Sequence, residues 1–261
     1  MITLFLGAIA VGLSLGMLGS GGAILTVPIL AYGLGQTEKQ AIASALIIVG
    51  IISSISSITG IRQRLVNWPL VMLFGFPGMT GTYLGAWIAS YLDGAIQMTV
   101  FALVMLAAAW RMFQPVGLAS SHDQTQSYWF TGLQGLLVGV LTGFVGVGGV
   151  GGGFLIVPAL VLLSGLTMQT AVATSLVIIV MNSLIGFLKY QNVLALTHTQ
   201  LDWSVIVIMA VIGVAGSLAG QRLSGRLPQQ HLQRFFSVCL ILMAGFILYQ
   251  SLPSLLPSMT L

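Results

Sequence analysis

Apolar residues arrive in long runs, at roughly 2–18, 23–34, 40–60, 68–91 and 95–113, and again at 131–145, 154–164, 169–189, 203–224 and 232–250. About 20 apolar residues rising 1.5 Å each cross a hydrocarbon core of about 30 Å, so the longer runs predict membrane-spanning helices. Between the two series lies QPVGLASSHDQTQSYW, the one plausible linker. The pattern predicts an all-α polytopic membrane protein, with residues 1–113 a first membrane repeat, 114–130 a cytoplasmic linker and 131–261 a second membrane repeat.

The two series match in order. GMLGSGGAILTVPIL at 16–30 resembles GFVGVGGVGGGFLIVPAL at 143–160, which has three extra residues. GQTEKQAIASALIIV at 35–49 resembles GLTMQTAVATSLVII at 165–179. NWPLVMLFGFPGMTGTYLGAWIA resembles DWSVIVIMAVIGVAGSLAGQRLS, with Gly78, Gly81 and Gly85 aligned to Gly213, Gly216 and Gly220. Spacings of three and four put each glycine trio on one helix face, where small residues let helices approach closely.

The first element, 2–34, is too long for one crossing, at about 50 Å as a helix. Its second piece, 23–34, is about 18 Å and too short to cross alone. Either the element crosses once, tilted and broken, or it folds back as a V-shaped hairpin. Basic residues decide, because cytoplasmic loops are enriched in Lys and Arg. A single crossing distributes them without bias. A fold-back places Arg62, Arg64, Arg111, Arg222, Arg226 and Arg234 on one side, with only Lys39 and Lys189 opposite. The expected fold is therefore two inverted repeats, each a Gly-rich hairpin plus three transmembrane helices, with both termini periplasmic.

Composition agrees with a membrane setting and narrows the chemistry. The chain is 57% hydrophobic and 5% charged, against about 25% charged in soluble domains. The net charge of +4 thus reports orientation and points to no nucleic-acid partner. The single cysteine, Cys239, excludes an intrachain disulfide and a cysteine metal cluster. His122, His198 and His231 are scattered near loops, so no metal or cofactor is expected. The start, MITLFLGAIAVGLSLG, lacks a basic region and a cleavage site, and is taken as a retained segment.

Glycine concentrates inside the greasy stretches. Unpaired backbone groups are costly in lipid, so irregular backbone at membrane depth belongs in the protein interior or along a wet cavity. Each glycine turn precedes a short helix containing Pro28 or Pro158, whose first N–H groups and positive dipole end suit an anion. Paired broken helices of this kind mark a transporter's binding site. The candidate substrate-binding residues are Gly19, Ser20, Gly21 and Gly22 in the first turn, and Gly146, Gly148, Gly149, Gly151 and Gly152 in the second. The alternative is that these glycines only permit close packing. A nucleotide loop is excluded, since no G-K-[ST] follows.

The duplicated G-x-x-G-x-G-G turn with its apolar-Pro step, the segments AIASAL and ATSL, the Asn/Asp-Trp step and the spaced glycines resemble the TauE/SafE sulfite exporter family. The resemblance spans nearly the whole chain. It implies a transporter of two homologous halves that moves sulfite, sulfonates or other organic anions. The first turn, Gly19-Ser20-Gly21-Gly22-Ala23, has fewer glycines than the second, and the difference falls where a substrate would touch backbone.

Ser44, Thr174 and Ser175, near the start of the helix after each hairpin, are candidates for an oxyanion shell, or for ordinary helix-backbone bonds. Ser53, Ser54, Ser56, Ser57 and Thr59 form an unusually polar stripe, expected to line a pathway more than to join helices. Asn182 is the most polar side chain expected deep in the membrane. Lys189 is expected to snorkel, and Trp68 and Trp203 to anchor at the interface. Glu38, Asp93, Asp123 and Asp202 all fall in loops, leaving no carboxylate at mid-membrane for proton coupling. The expected partners are a small anion, the bilayer and a possible second copy in a homodimer. A membrane-embedded enzyme would need a nucleophile and base inside the bilayer, and none is placed there. A non-transporting assembly factor would not need paired broken helices.

Overall fold

The structure is a computed structural model that describes residues 2–19, 21–89, 156–197, 201–225 and 229–255, with isolated positions between 99 and 140. All its described elements are helices. They are α1 (Ile2–Leu18), α2 (Gly21–Pro28, continuing as a π-helical turn Ile29–Gly33), α3 (Glu38–Arg62), α4 (Trp68–Ala89), α5 (Ile156–Ser164), α6 (Met168–Thr197), α7 (Trp203–Ser224) and α8 (Gln229–Leu255). By length and composition, three helical stretches among the described residues are fit to cross a membrane: Gln40–Arg62, Met168–Leu188 and Trp203–Ser224.

Helix ends follow local chemistry. After the π-helical turn and after α5, Gly35 (φ +67°) and Gly165 (φ +64°) take the left-handed conformation that glycine adopts without strain. The next N–H, of Gln36 or Leu166, then donates back to the carbonyl of Leu30 (3.1 Å) or Leu160 (3.3 Å). This is one helix-ending motif used twice. Asn67 caps α4 through its Oδ1, which accepts from the Leu70 N–H at 3.2 Å. Asp202 caps α7, accepting from Ser204 and Val205 at 3.1 and 3.2 Å. The repeated Asn/Asp-Trp step is thus a helix start. Pro158 lies within α5. Pro28 closes α2, and the ladder widens to a π-turn behind it. Helix α6 runs on to Thr197, past the apolar run ending near 189, because no Gly or Pro interrupts the segment.

Close approaches fix the directions of the helices. A Cβ built on Gly7 would lie 2.6 Å from Ile29, and one on Gly22 would lie 2.6 Å from Leu15 Cβ, so α2 folds back along α1. Gly12 and Gly16 press their backbones on those of Gly213 and Ser217, so α1 runs parallel to α7. Gly216 and Gly220 meet Ile9, Leu13 and Met17 in the same seam. The predicted glycine face of α7 is therefore a packing surface, and its counterpart on α1, Gly12-x-x-x-Gly16, was not anticipated. Gly78 and Gly81 are buried; the surroundings of Gly85 lie outside the described residues.

Ser56 and Ser217 share a hydrogen bond of 2.7 Å, Gln221 Nε2 donates to the Ser56 carbonyl at 3.0 Å, and Gly213 lies against Ile52 one turn earlier, so α3 runs parallel to α7. Ser56 thus joins helices, contrary to the pathway expectation for its stripe. A Cβ built on Gly60 would lie 2.9 Å from Ala173 and one on Gly50 would lie 3.3 Å from Ser183, so α3 and α6 are antiparallel. Gly75 against Met181 (3.1 Å), with the Asn67 N–H on Thr174 Oγ1 (3.1 Å), makes α4 parallel to α6.

With those directions, the exposed Arg62, Arg64, Arg222 and Arg234 fall at one end of the bundle. The starts of α3 and α7, with Lys39 and Trp203, and the far part of α6, with Lys189, fall at the other. Trp68 and Trp203, both exposed, sit at opposite ends. The linker 114–130, Arg111 and Arg226 lie outside the described residues. Outward faces carry Phe5, Leu6, Ile55, Met72, Phe76, Leu184, Val211 and Leu242, all exposed and apolar, as a lipid-facing surface requires. The interior, by contrast, holds hydroxyls: Thr26, Ser44, Ser53, Ser56, Thr174, Ser175 and Ser217 have no exposed surface.

Candidate functional site

A hydroxyl can sit cheaply inside an apolar helix by donating to a carbonyl one turn back. Thr26 does so to Gly22 (2.7 Å), Ser57 to Ser54 (2.8 Å) and Ser175 to Val172 (2.9 Å). Ser54 bonds the Gly50 carbonyl at 2.7 Å from an exposed position. Other buried polar atoms have no partner: Ser53 Oγ, Ser44 Oγ, Asn182 Oδ1, Ser164 Oγ, both amide atoms of Gln36 and Oε1 of Gln221. Leaving such a group unpaired costs about 1–3 kcal/mol, so each one retained asks for a reason.

Two of these atoms lie where the halves of the chain meet. Gly50 touches Ser183, and Ser183 is the repeat equivalent of Ser53, so the middle of α3 crosses the middle of α6 near the point of equivalence. Ser53 is one turn from Gly50 and two from Gly60, on the stripe of α3 that faces α6. Asn182 lies beside Ser183, within about 5 Å in height of Ser53. Either end of a carboxamide can be turned to a ligand, so this position offers donor or acceptor.

The first glycine turn reaches the same helix. Gly19 is buried with φ +74°, and a Cβ there would lie 2.6 Å from Ser175 Oγ, 3.0 Å from Val172 Cα and 3.2 Å from Val157. The turn of the first half therefore docks on the second half. Ser175 and Asn182 are seven residues apart, on one face of α6 and about 10 Å apart in height. Gly19, Ser175, Asn182 and Ser53 thus follow one another in height from the Arg-bearing end to the middle of the bundle.

The remaining sequence candidates divide. Gly22 lies against the Val11 carbonyl and Leu15, so its missing side chain closes the hairpin. Gly21 opens α2. Ser20, Gly146, Gly148, Gly149, Gly151 and Gly152 lie outside the described residues. Thr174 accepts the Asn67 N–H, which ties the α3–α4 loop to α6. Ser44 is its repeat equivalent, but the antiparallel arrangement places it about 20 Å away along the helix axes, so the two hydroxyls cannot share one shell. Sequence reasoning missed Gln36, which stands where the second half has the apolar Leu166. Its amide head is buried without a partner, and only the mismatch between repeats pointed to it.

Apolar faces turned outward, an interior that buries hydroxyls, and three apolar helices of membrane-crossing length among the described residues define a polytopic helical membrane protein. Residues 4–247 match the sulfite exporter TauE/SafE family, and the chain belongs to it. It is accordingly a membrane transporter. A probable membrane transporter protein of Xylella fastidiosa (strain 9a5c) is 31% identical over 249 residues, covering 94% of each chain. One from Methanocaldococcus jannaschii is 28% identical over 264 residues, covering 92% of this chain and 94% of the relative. No solved structure matches the chain.

Proposed function

We propose that the protein exports a small anion, of the sulfite, sulfonate or organic-acid type, across a bacterial inner membrane. The observation that carries this reading is the pair of unpartnered buried groups, Ser53 Oγ on α3 and Asn182 Oδ1 on α6, near mid-height of the bundle. Substrate sites of transporters built from repeats lie near the midplane at the repeat interface. Gly19 and Ser175 stand nearer the Arg-bearing end, on the approach to it.

The same proposal includes inverted repeats. The antiparallel course of the equivalent helices α3 and α6, the opposite directions of α4 and α7, and the fold-back of α2 along α1 support it. The gathering of Arg62, Arg64, Arg222 and Arg234 at one end supports a cytoplasmic Arg end with both termini outside. In a Cys239→Ala background, a cysteine placed within 114–130 is expected to be labelled only from the cytoplasm, and one after Thr260 only from outside. Termini reacting from opposite sides would refute this topology.

Export follows from the membrane potential. An anion leaving a negative-inside cell gains about 2.3 kcal/mol per charge per 100 mV, whereas uptake needs a coupled ion. The sequence places no carboxylate at mid-membrane to carry a proton. In proteoliposomes oriented with the Arg end inward and loaded with labelled sulfite, a negative-inside potential alone is expected to speed efflux. Collapsing a pH gradient imposed outside, at fixed potential and fixed internal pH, should leave efflux unchanged. Efflux that ignores voltage and follows the gradient would overturn the proposal.

A further inference from the structure

The charge of the substrate follows from what lines the site, given the reading that Ser53 and Asn182 meet the transported anion. Both groups are neutral, and so are Gly50 and Ser183 beside them and Ser175 about 10 Å further along α6. Basic residues occur only at or beyond the ends of the apolar runs along the sequence. The described Arg62, Arg64, Arg222 and Arg234 are exposed at one end of the bundle. Among the described residues, therefore, no fixed cation stands at mid-height. Transfer of an ion from water into a low-dielectric interior costs solvation energy that rises with the square of its charge, about fourfold from monoanion to dianion. Hydroxyl and carboxamide donors supply hydrogen bonds worth far less than a buried counter-charge.

We infer that the site takes small monovalent oxyanions, such as a sulfonate or the singly protonated form of a weak diprotic acid, and rejects dianions of the same size. One consequence is that sulfite flux rises as pH falls on the loading side, because the protonated monoanion becomes more abundant. No side chain of the protein needs to titrate.

Methanesulfonate and sulfate separate charge from size, since both are small tetrahedral sulfur oxyanions. In proteoliposomes, methanesulfonate flux is expected to exceed sulfate flux at least a hundredfold, on the order expected for so large a solvation difference. Methanesulfonate flux should not change across neutral pH, and sulfate in excess should not compete with it. Similar rates for the two anions, with both slowed by Asn182→Leu, would keep the site and overturn the charge selection. Fluxes untouched by Asn182→Leu and by Ser53→Ala would overturn the site and this inference together. If neither anion moves, thermal stabilisation of the detergent-solubilised protein decides: a rise in Tm with methanesulfonate and none with sulfate upholds the inference, and any other result overturns it.

Discussion

A leucine at Gly16 is expected to prevent the chain from reaching its folded state. Gly16 meets the main chain of Ser217, with a built Cβ 2.7 Å from Ser217 Cα and nearer still to the carbonyl oxygen. Gly12 meets Gly213 in the same way one turn earlier. Overpacking costs about 1–3 kcal/mol where neighbouring side chains yield. Here the neighbour is the backbone of a membrane-spanning helix, which cannot turn aside, so more than about 3 kcal/mol is expected. The shift of α7 would also break the Ser56–Ser217 bond and the Gln221 contact that hold α3. Monodisperse yield and Tm in detergent measure the effect. Gly245→Ala is the control, because that position on α8 opens onto free space. A Gly16→Leu protein as stable as the control would show that the α1–α7 seam is not what holds the bundle.

Ser53→Ala and Asn182→Ala should do the reverse, lowering transport and sparing the fold. Each removes a buried oxygen that has no partner, Ser53 Oγ or Asn182 Oδ1, so Tm should stay level or rise. A hydrogen bond to a charged substrate is worth about 1.5–3 kcal/mol, so each variant should lose transport at least about tenfold. Ser56→Ala makes the contrast. It leaves the fully buried Ser217 hydroxyl without its 2.7 Å partner, costing about 1 kcal/mol of stability with little change in flux. A stability loss at Ser53 equal to that at Ser56 would mean that Ser53 has a structural partner and no substrate role.

Much of this architecture was legible in the sequence. The ends of α1 and α7 coincide with the apolar runs 2–18 and 203–224, because a helix stops where glycine, proline or a capping residue stops it. The paired helix ends and starts were legible for the same reason: Gly35 and Gly165, like Asn67 and Asp202, are local signals read over a few residues. The spacing of Gly213, Gly216 and Gly220 declared one packing face. What the sequence left open was the partner of each face. Ser53 and Ser56 stand three residues apart in one polar stripe, yet one is alone and the other bonds α7. Ser44 and Thr174 are equivalent in sequence, yet antiparallel packing separates them and leaves only Thr174 bonded to a neighbouring loop. Periodicity specifies which residues share a side of a helix, because it is set by bonds between near neighbours. Rotation and register between helices far apart in the chain decide whether a buried hydroxyl meets a carbonyl, another hydroxyl or a substrate.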